Sequence, residues 1–366
     1  MASIIDYIKK YGNKSFEEEP LNEVDNALFS FLSYFNFDGI IDNSGRKVLL
    51  NDAIYQFFNL HDPKVLRTHG IGLKDSYRLA KVLMEKKRYK DLPLYNYVYK
   101  TNEEVQFSSI CIDLNDKLTY ISIEGTDDEV VAWKEDFEMA YMFPVPAQKM
   151  CIDYLKNNVK FLSNKKYIIG GHSKGGNLAL VGTMYLPFFK RMKVKSIWSF
   201  DGPGLNDEQI NSKEYNRVKD KYHFYLPNYS IVGMMLNNRA EMNVVKASNV
   251  TIKSHSIYYW MTTDNKFTRG KLSPLSKAFD KMITKWIKAN DKETIKAFIE
   301  DLFDIFDRCN IHDLCGLNAR DIKQITTVAR ETKNISPESK ERIKEFGRIV
   351  IDTFKEETFA LFKSKE

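Results

Sequence analysis

One segment constrains this chain more than any other: Tyr167-Ile168-Ile169-Gly170-Gly171-His172-Ser173-Lys174-Gly175-Gly176-Asn177. Three apolar residues of strand type run into a glycine-rich turn, and Leu178, Ala179, Leu180 and Val181 then open a buried helix. Strand, tight turn and helix in immediate succession are the unit from which α/β sheets are built. Within the turn, Gly171, Ser173 and Gly175 spell G-x-S-x-G. With Gly and Ser near 7% each, chance supplies that pentapeptide in roughly one of eight chains of this length. The flanking strand and helix give it weight, because they are what a nucleophile elbow requires.

The same alternation continues on both sides. Val105 to Leu114 and Lys117 to Ile123 are rich in β-branched and aromatic residues and are separated by a hairpin-like Asn115-Asp116. The pattern predicts a helix from Ala147 to Val159, a strand Tyr167 to Ile169, a helix from Gly175 to Tyr185 and a strand Val194 to Phe200. A polar helix near Asn206 to Lys219 follows, then strands Tyr222 to Leu226 and Asn243 to Ala247. Together these predict an α/β sheet that is parallel in its middle. The first hundred residues read as helices with short extended pieces. Beyond about residue 270 the pattern is purely helical: Leu275, Phe279, Met282, Ile283 and Trp286 share one face, as do Ile295, Phe298, Ile299, Leu302 and Phe306. Ser336 before Pro337 marks a helix start. The expected division is one domain over 1–270 and a helical appendage over 271–366.

An elbow puts its serine on a strained turn so that the hydroxyl projects from the sheet edge, with small neighbours because strand and helix close tightly around it. The helix beginning at Lys174 aims its free N–H groups at developing negative charge. The Lys174 amide is then one oxyanion donor, and its side chain is expected to point to solvent. Thr126, in Glu124-Gly125-Thr126-Asp127 after the strand ending at Ile123, is the expected second donor. Of six histidines, His255, which follows the last predicted strands, is the one in the expected place and order for a general base. His172, inside the elbow, reads as scaffold, and His223 lies within a strand. His312, between Cys309 and Cys315, lacks an obvious fourth metal ligand. Asp201, in Asp201-Gly202-Pro203-Gly204, ends the strand after the elbow unit. It is either the acid that orients His255 or a turn aspartate bonding nearby amides. The next strand end offers only Asn228 and Ser230.

Composition narrows the alternatives. In 366 residues, 55 bases and 49 acids leave +6, and 43% hydrophobic with 28% charged residues excludes a disordered or collagen-like chain. That small charge, with bases interleaved among acids, is no nucleic-acid footprint, although a local basic patch stays open. No secretory signal is visible, and no apolar run approaches the roughly 18 residues of a membrane-spanning helix. Cys111, Cys151, Cys309 and Cys315 are few and scattered, which favours reduced thiols and a cytoplasmic protein.

The chain resembles the Mbeg1-like proteins, a bacterial family of unknown function with the α/β-hydrolase fold. The residues that carry the resemblance are Asn22-Glu23-Val24-Asp25-Asn26 with Leu32-Ser33-Tyr34, then Glu124-Gly125-Thr126-Asp127 and Trp133. They continue with Gly171 to Ala179, Asp201-Gly202-Pro203-Gly204 and Ser230-Ile231-Val232-Gly233. More distantly, Ile121 to His255 is similar to class 3 lipases, whose Gly-Thr loop, Gly-His-Ser-x-Gly elbow and final histidine it shares. Where such lipases carry the aspartate of Asp-Ile-Val-Pro this chain has Ser230, and where they often carry Arg it has Glu124. The resemblance implies an α/β-hydrolase core with a mostly parallel central sheet, N-terminal helical decoration and a C-terminal helical appendage. The function expected is a serine hydrolase acting on a carboxylic ester, with an acyl or lipid-like substrate, Ser173, His255 and Asp201 as triad, Thr126 and Lys174 at the oxyanion, and neither metal nor organic cofactor. A catalytically impaired binding protein and a thioesterase or amidase using the same residues are the other expectations.

Overall fold

A computed structural model describes residues 2–61, 71–102, 105–126, 130–249, 252–309 and 335–349. Eight strands form the central sheet: β1 (Val48–Leu49), β2 (Pro93–Thr101), β3 (Gln106–Asn115), β4 (Leu118–Ile123), β5 (Lys166–His172), β6 (Val194–Phe200), β7 (Tyr222–Pro227) and β8 (Met242–Val245). They lie side by side in chain order. The first four pair antiparallel, and β4 to β8 pair in parallel. The architecture is α/β with a mostly parallel central sheet flanked by helices.

Period-two alternation divides the strands between two apolar layers. Ile110, Ile112, Tyr120, Ile168 and Phe200 face a layer that contains Ile4, Tyr7 and Ile8 of helix Ile4–Tyr11 and Val24, Leu28 and Phe31 of helix Glu23–Phe31. Cys111, Ile121, Ile123, Ile169 and Ile197 face the other, with Cys151 and Leu155 of helix Pro146–Asn158 and Leu178 and Val181 of helix Lys174–Met184. The N-terminal helices expected as decoration thus cover one whole face of the sheet. Their Asn22-to-Asn26 motif builds a capping box, in which the Asn22 side chain accepts from the amides of Val24 and Asp25. The Asp25 carboxylate also takes the Arg88 guanidinium in a fully buried pair. Tyr120 ties the helix to the sheet, sharing a hydrogen bond with Ser30 at 2.7 Å and donating to the Asn26 carbonyl at 2.9 Å.

Two stretches depart from the sequence reading. β2, at the end of the first hundred residues, runs for nine residues, longer than the short pieces expected there. The polar helix near Asn206 to Lys219 is two four-residue turns, Asp207–Ile210 and Lys213–Asn216. Ser212 is the reason, because its hydroxyl accepts from the Tyr215 amide and so starts a second helix instead of continuing the first.

Helices Pro274–Ala289, Lys292–Arg308 and 337–349 follow the sheet. The first two pool Met282, Ile283, Trp286, Ile295, Phe298, Ile299 and Phe303 in a third apolar cluster, against which Phe346, Phe137 and Tyr141 pack. Leu275, expected on this face, is exposed. The Ser336 hydroxyl caps the last helix, accepting from the Ser339 amide at 3.0 Å.

Candidate active site

Because β4 to β7 run parallel, their C-terminal ends share one sheet edge, the side on which open α/β sheets place their sites. Ile123 leads there into Glu124-Gly125-Thr126, His172 into Ser173, Phe200 into Asp201, and Pro227 into Asn228-Tyr229-Ser230.

Ser173 occupies the left-handed region at φ 57° with ψ −136°, the strained turn that an elbow demands. Its amide donates to the Phe200 carbonyl at 2.9 Å, which fixes the turn to β6. A Cβ at Gly171 would lie 2.2 Å from the backbone of Gly175, so strand and helix meet at a distance only glycine allows. The Gly125 loop lies equally close, since a Cβ there would fall 2.8 Å from the Ser173 Cβ and 2.4 Å from the His172 carbonyl. The oxyanion loop expected from sequence is therefore packed directly on the elbow.

Asp201 is fully buried and also at positive φ, 54°. Its Oδ2 accepts from His255 Nδ1 at 2.6 Å, and its Oδ1 accepts from the Ser230 hydroxyl and, at 3.1 Å, from the Gly233 amide. The structure thus brings the Asp201 carboxylate onto His255. Ser230, standing where class 3 lipases have an aspartate, serves the carboxylate of Asp201 instead of supplying its own. With Nδ1–H committed to Asp201, Nε2 is the His255 nitrogen left to act as a base.

His172 connects this histidine to the far side of the sheet. Its Nε2 lies 2.8 Å from the His255 carbonyl, which can only accept, so Nε2 carries the proton. Nδ1 then accepts from the Tyr34 hydroxyl at 2.9 Å. Burial, reinforced by His255 nearby, holds the His172 imidazole well below its ordinary pKa, although the bond to the His255 carbonyl opposes this. A neutral ring, donating from Nε2 and accepting at Nδ1, satisfies both partners. The two histidine rings are 4.5 Å apart.

Lys174 departs from expectation in its side chain, which is completely buried rather than directed to solvent. Its Nζ donates to Glu135 Oε2 at 2.9 Å and to the carbonyl and Oε1 of Gln106, both at 3.2 Å. The Glu135 carboxylate and the two Gln106 oxygens together make this burial tolerable. The next residue, Asp136, accepts from the Thr126 hydroxyl. Burial pushes Asp136 up to about 6, although Lys174 and the Thr126 bond pull the other way. One helix turn thus holds both expected oxyanion residues. Asn177 completes the frame: its amide nitrogen donates to the Gly204 carbonyl at 2.6 Å and its Oδ1 accepts from Gln148 Nε2 at 2.8 Å.

Sequence reasoning missed the roles of Tyr34, Glu135, Asp136, Asn177 and Ser230. Tyr34, Asn177 and Ser230 all lie in motifs quoted above, but nothing local says what each one touches. His223 stacks on Trp198 in the sheet, 4.4 Å between ring centres. His312 and Cys315 lie outside the described residues.

A family model described as Mbeg1-like matches residues 83–304, well over half of the chain. The chain belongs to the Mbeg1-like family. The match takes in the Gly125 loop, the elbow, Asp201 and His255, and it ends within helix Lys292–Arg308, but it leaves out the Asn22-to-Asn26 cap. Among solved structures, the Mbeg1-like chain is similar to a crystal structure of M37 lipase at 14% identity and a TM-score of 0.37, over 59% of this chain and 70% of that one. No curated protein matches it.

Proposed function

We propose that this Mbeg1-like protein is a serine hydrolase with an α/β-hydrolase core that cleaves a carboxylic ester of an acyl or lipid-like substrate through an acyl-enzyme. The observation that carries this is the pairing of His255 Nδ1 with the buried Asp201 carboxylate at 2.6 Å, on the edge where Ser173 is held at positive φ. In this reading His255 Nε2 takes the Ser173 proton as the hydroxyl oxygen bonds to the acyl carbon. The backbone amides of Thr126 and Lys174 receive the resulting oxyanion. Collapse breaks the bond to the leaving alkoxide, which takes the proton from His255. Water then repeats the sequence and frees the acid and Ser173. Asp201 holds the tautomer and stabilises the imidazolium, a role whose loss lowers turnover by about 10⁴-fold in such triads. Each oxyanion donor contributes about 10²–10³-fold.

A fluorophosphonate probe tests the reading at the nucleophile. The expected result is one covalent adduct on Ser173 in the wild type and none in Ser173→Ala. An unlabelled wild type, or labelling that persists in the alanine variant, overturns it. A panel of oxygen esters, thioesters and amides of matched acyl length then checks the leaving group, with the oxygen ester expected to turn over fastest.

A further inference from the structure

The edge of the sheet opposite the candidate site carries a second feature. Residues 154–200 contain nine lysines and arginines and not one acid. Lys174 is buried on Glu135, while Lys156 and Lys165 pair with Asp153 and Asp113. The other six, Lys160, Lys166, Lys190, Arg191, Lys193 and Lys195, form no ion pair among the described residues. Where their contacts are seen they lie on backbone carbonyls: Lys193 Nζ on Ser163 at 2.6 Å, and Lys190 Nζ on Lys156. Carbonyls fix the position of these cations without neutralising them.

These bonds join the loop before β5 to the turn before β6, and together the two present an unusual apolar surface. Leu162 is 85% exposed, and Phe161, Phe188, Phe189 and Met192 are between 46% and 66% exposed. The three phenylalanine rings are contiguous. The Phe189 ring lies 6.1 Å from Phe161 and 5.3 Å from Phe188, and the Arg191 guanidinium sits 6.0 Å over Phe188. Large apolar side chains grouped on a surface and rimmed by charge mark an interaction site.

We propose that this face docks on an anionic phospholipid bilayer, with Leu162 and the three phenylalanines entering the headgroup layer and the surrounding cations meeting lipid phosphates. The charge decides the occupant. A second copy of the chain would set these same cations against one another, whereas an anionic leaflet attracts each lysine or arginine near its surface. Aromatic rings and aliphatic tips interleaved with lysine are the composition of interfacial anchors. Among the described residues no helix is long and apolar enough to cross a membrane. Each strand of seven residues is about 20 Å long, which sets the site at the far edge, facing away from the lipid plane. A substrate would then arrive from the aqueous side.

Co-sedimentation of the full chain with vesicles of phosphatidylcholine and phosphatidylglycerol (7:3) tests the proposal. Binding should be at least tenfold stronger than to pure phosphatidylcholine and should weaken severalfold between 50 and 500 mM NaCl. A Phe161→Ser/Leu162→Ser/Phe189→Ser variant should lose at least tenfold in binding with an unchanged melting temperature, because all three side chains are exposed. Lys190→Glu/Lys193→Glu should abolish the preference for the anionic vesicles. Equal binding to both lipids, undiminished binding by either variant, self-association through this face in place of vesicle binding, or capture of a single-stranded oligonucleotide instead of vesicles overturns it. None of these outcomes depends on whether Ser173 reacts.

Discussion

The chemistry of the candidate site rests on how one carboxylate is shared. Asp201 accepts three hydrogen bonds, and only one comes from His255. Ser230 and the Gly233 amide hold the other oxygen, so the carboxylate keeps its orientation when the imidazole changes charge. In the proposed hydrolase, Asp201→Asn removes the charge that stabilises the imidazolium and should lower kcat by about 10⁴-fold. Ser230→Ala removes one donor to a charged acceptor, an interaction worth about 1.5–3 kcal/mol, so kcat should fall roughly tenfold or somewhat more. Ester turnover by both variants checks the ordering. A Ser230→Ala enzyme as slow as Asp201→Asn would mean that Ser230 does more than hold the acid in place.

At the scale of single elements, helix Val130–Glu138 does the most with the fewest residues: Glu135 fixes Lys174, and Asp136 fixes Thr126. Lys174→Met strands the Glu135 carboxylate in the interior and should destabilise the fold by about 3–5 kcal/mol. Pairing it with Glu135→Gln should recover a substantial part, measured by urea unfolding. Asp136 imposes a pH dependence of its own. Its carboxyl sits at about 6 in the folded protein against an ordinary 3.8, so between those pH values the folded state holds the proton more tightly. Stability from this group is therefore greatest below about pH 4, falls as pH rises to about 6, and stays low above it. The total is on the order of 3 kcal/mol. Asp136→Asn should accordingly match the wild type best at low pH and gain on it through pH 4 to 6. A stability difference constant from pH 4 to 8 would contradict this. None of this helix's work was legible beforehand. The elbow, β6 and the late histidine could be read from sequence because each is signalled by its own neighbours: glycine spacing, β-branched runs, order along the chain. The burial of Lys174 depends on an acid 39 residues earlier, and a lysine beside a turn otherwise reads as surface. Asp201 stood between two readings for the same reason, since His255 and Ser230 reach it only in the fold. Ser212 is the opposite case, a local cap whose helix-breaking consequence was available in the sequence and went unread.

In the molecule as a whole, the helices after residue 270 meet the candidate site through helix Val130–Glu138. Phe137 packs edge-on against Phe303 with 6.0 Å between ring centres, and Tyr141 joins the same cluster. Phe137 is the direct neighbour of Asp136, so the C-terminal helices brace the turn that anchors Thr126 and Lys174. This argues for a brace rather than a lid over the substrate, and the two make different predictions. A lid acts on long acyl chains, so its removal changes the ratio of long- to short-ester turnover. A brace acts on the oxyanion loop, so its loss lowers turnover of every ester alike. Phe303→Ala empties the contact without deleting the helices. It should destabilise the protein by about 3–5 kcal/mol. Below its melting temperature, kcat for acetyl and octanoyl p-nitrophenyl esters should fall by the same factor, with their ratio unchanged. A selective change toward the octanoyl ester would place these helices over the substrate and remove them from the support of Asp136.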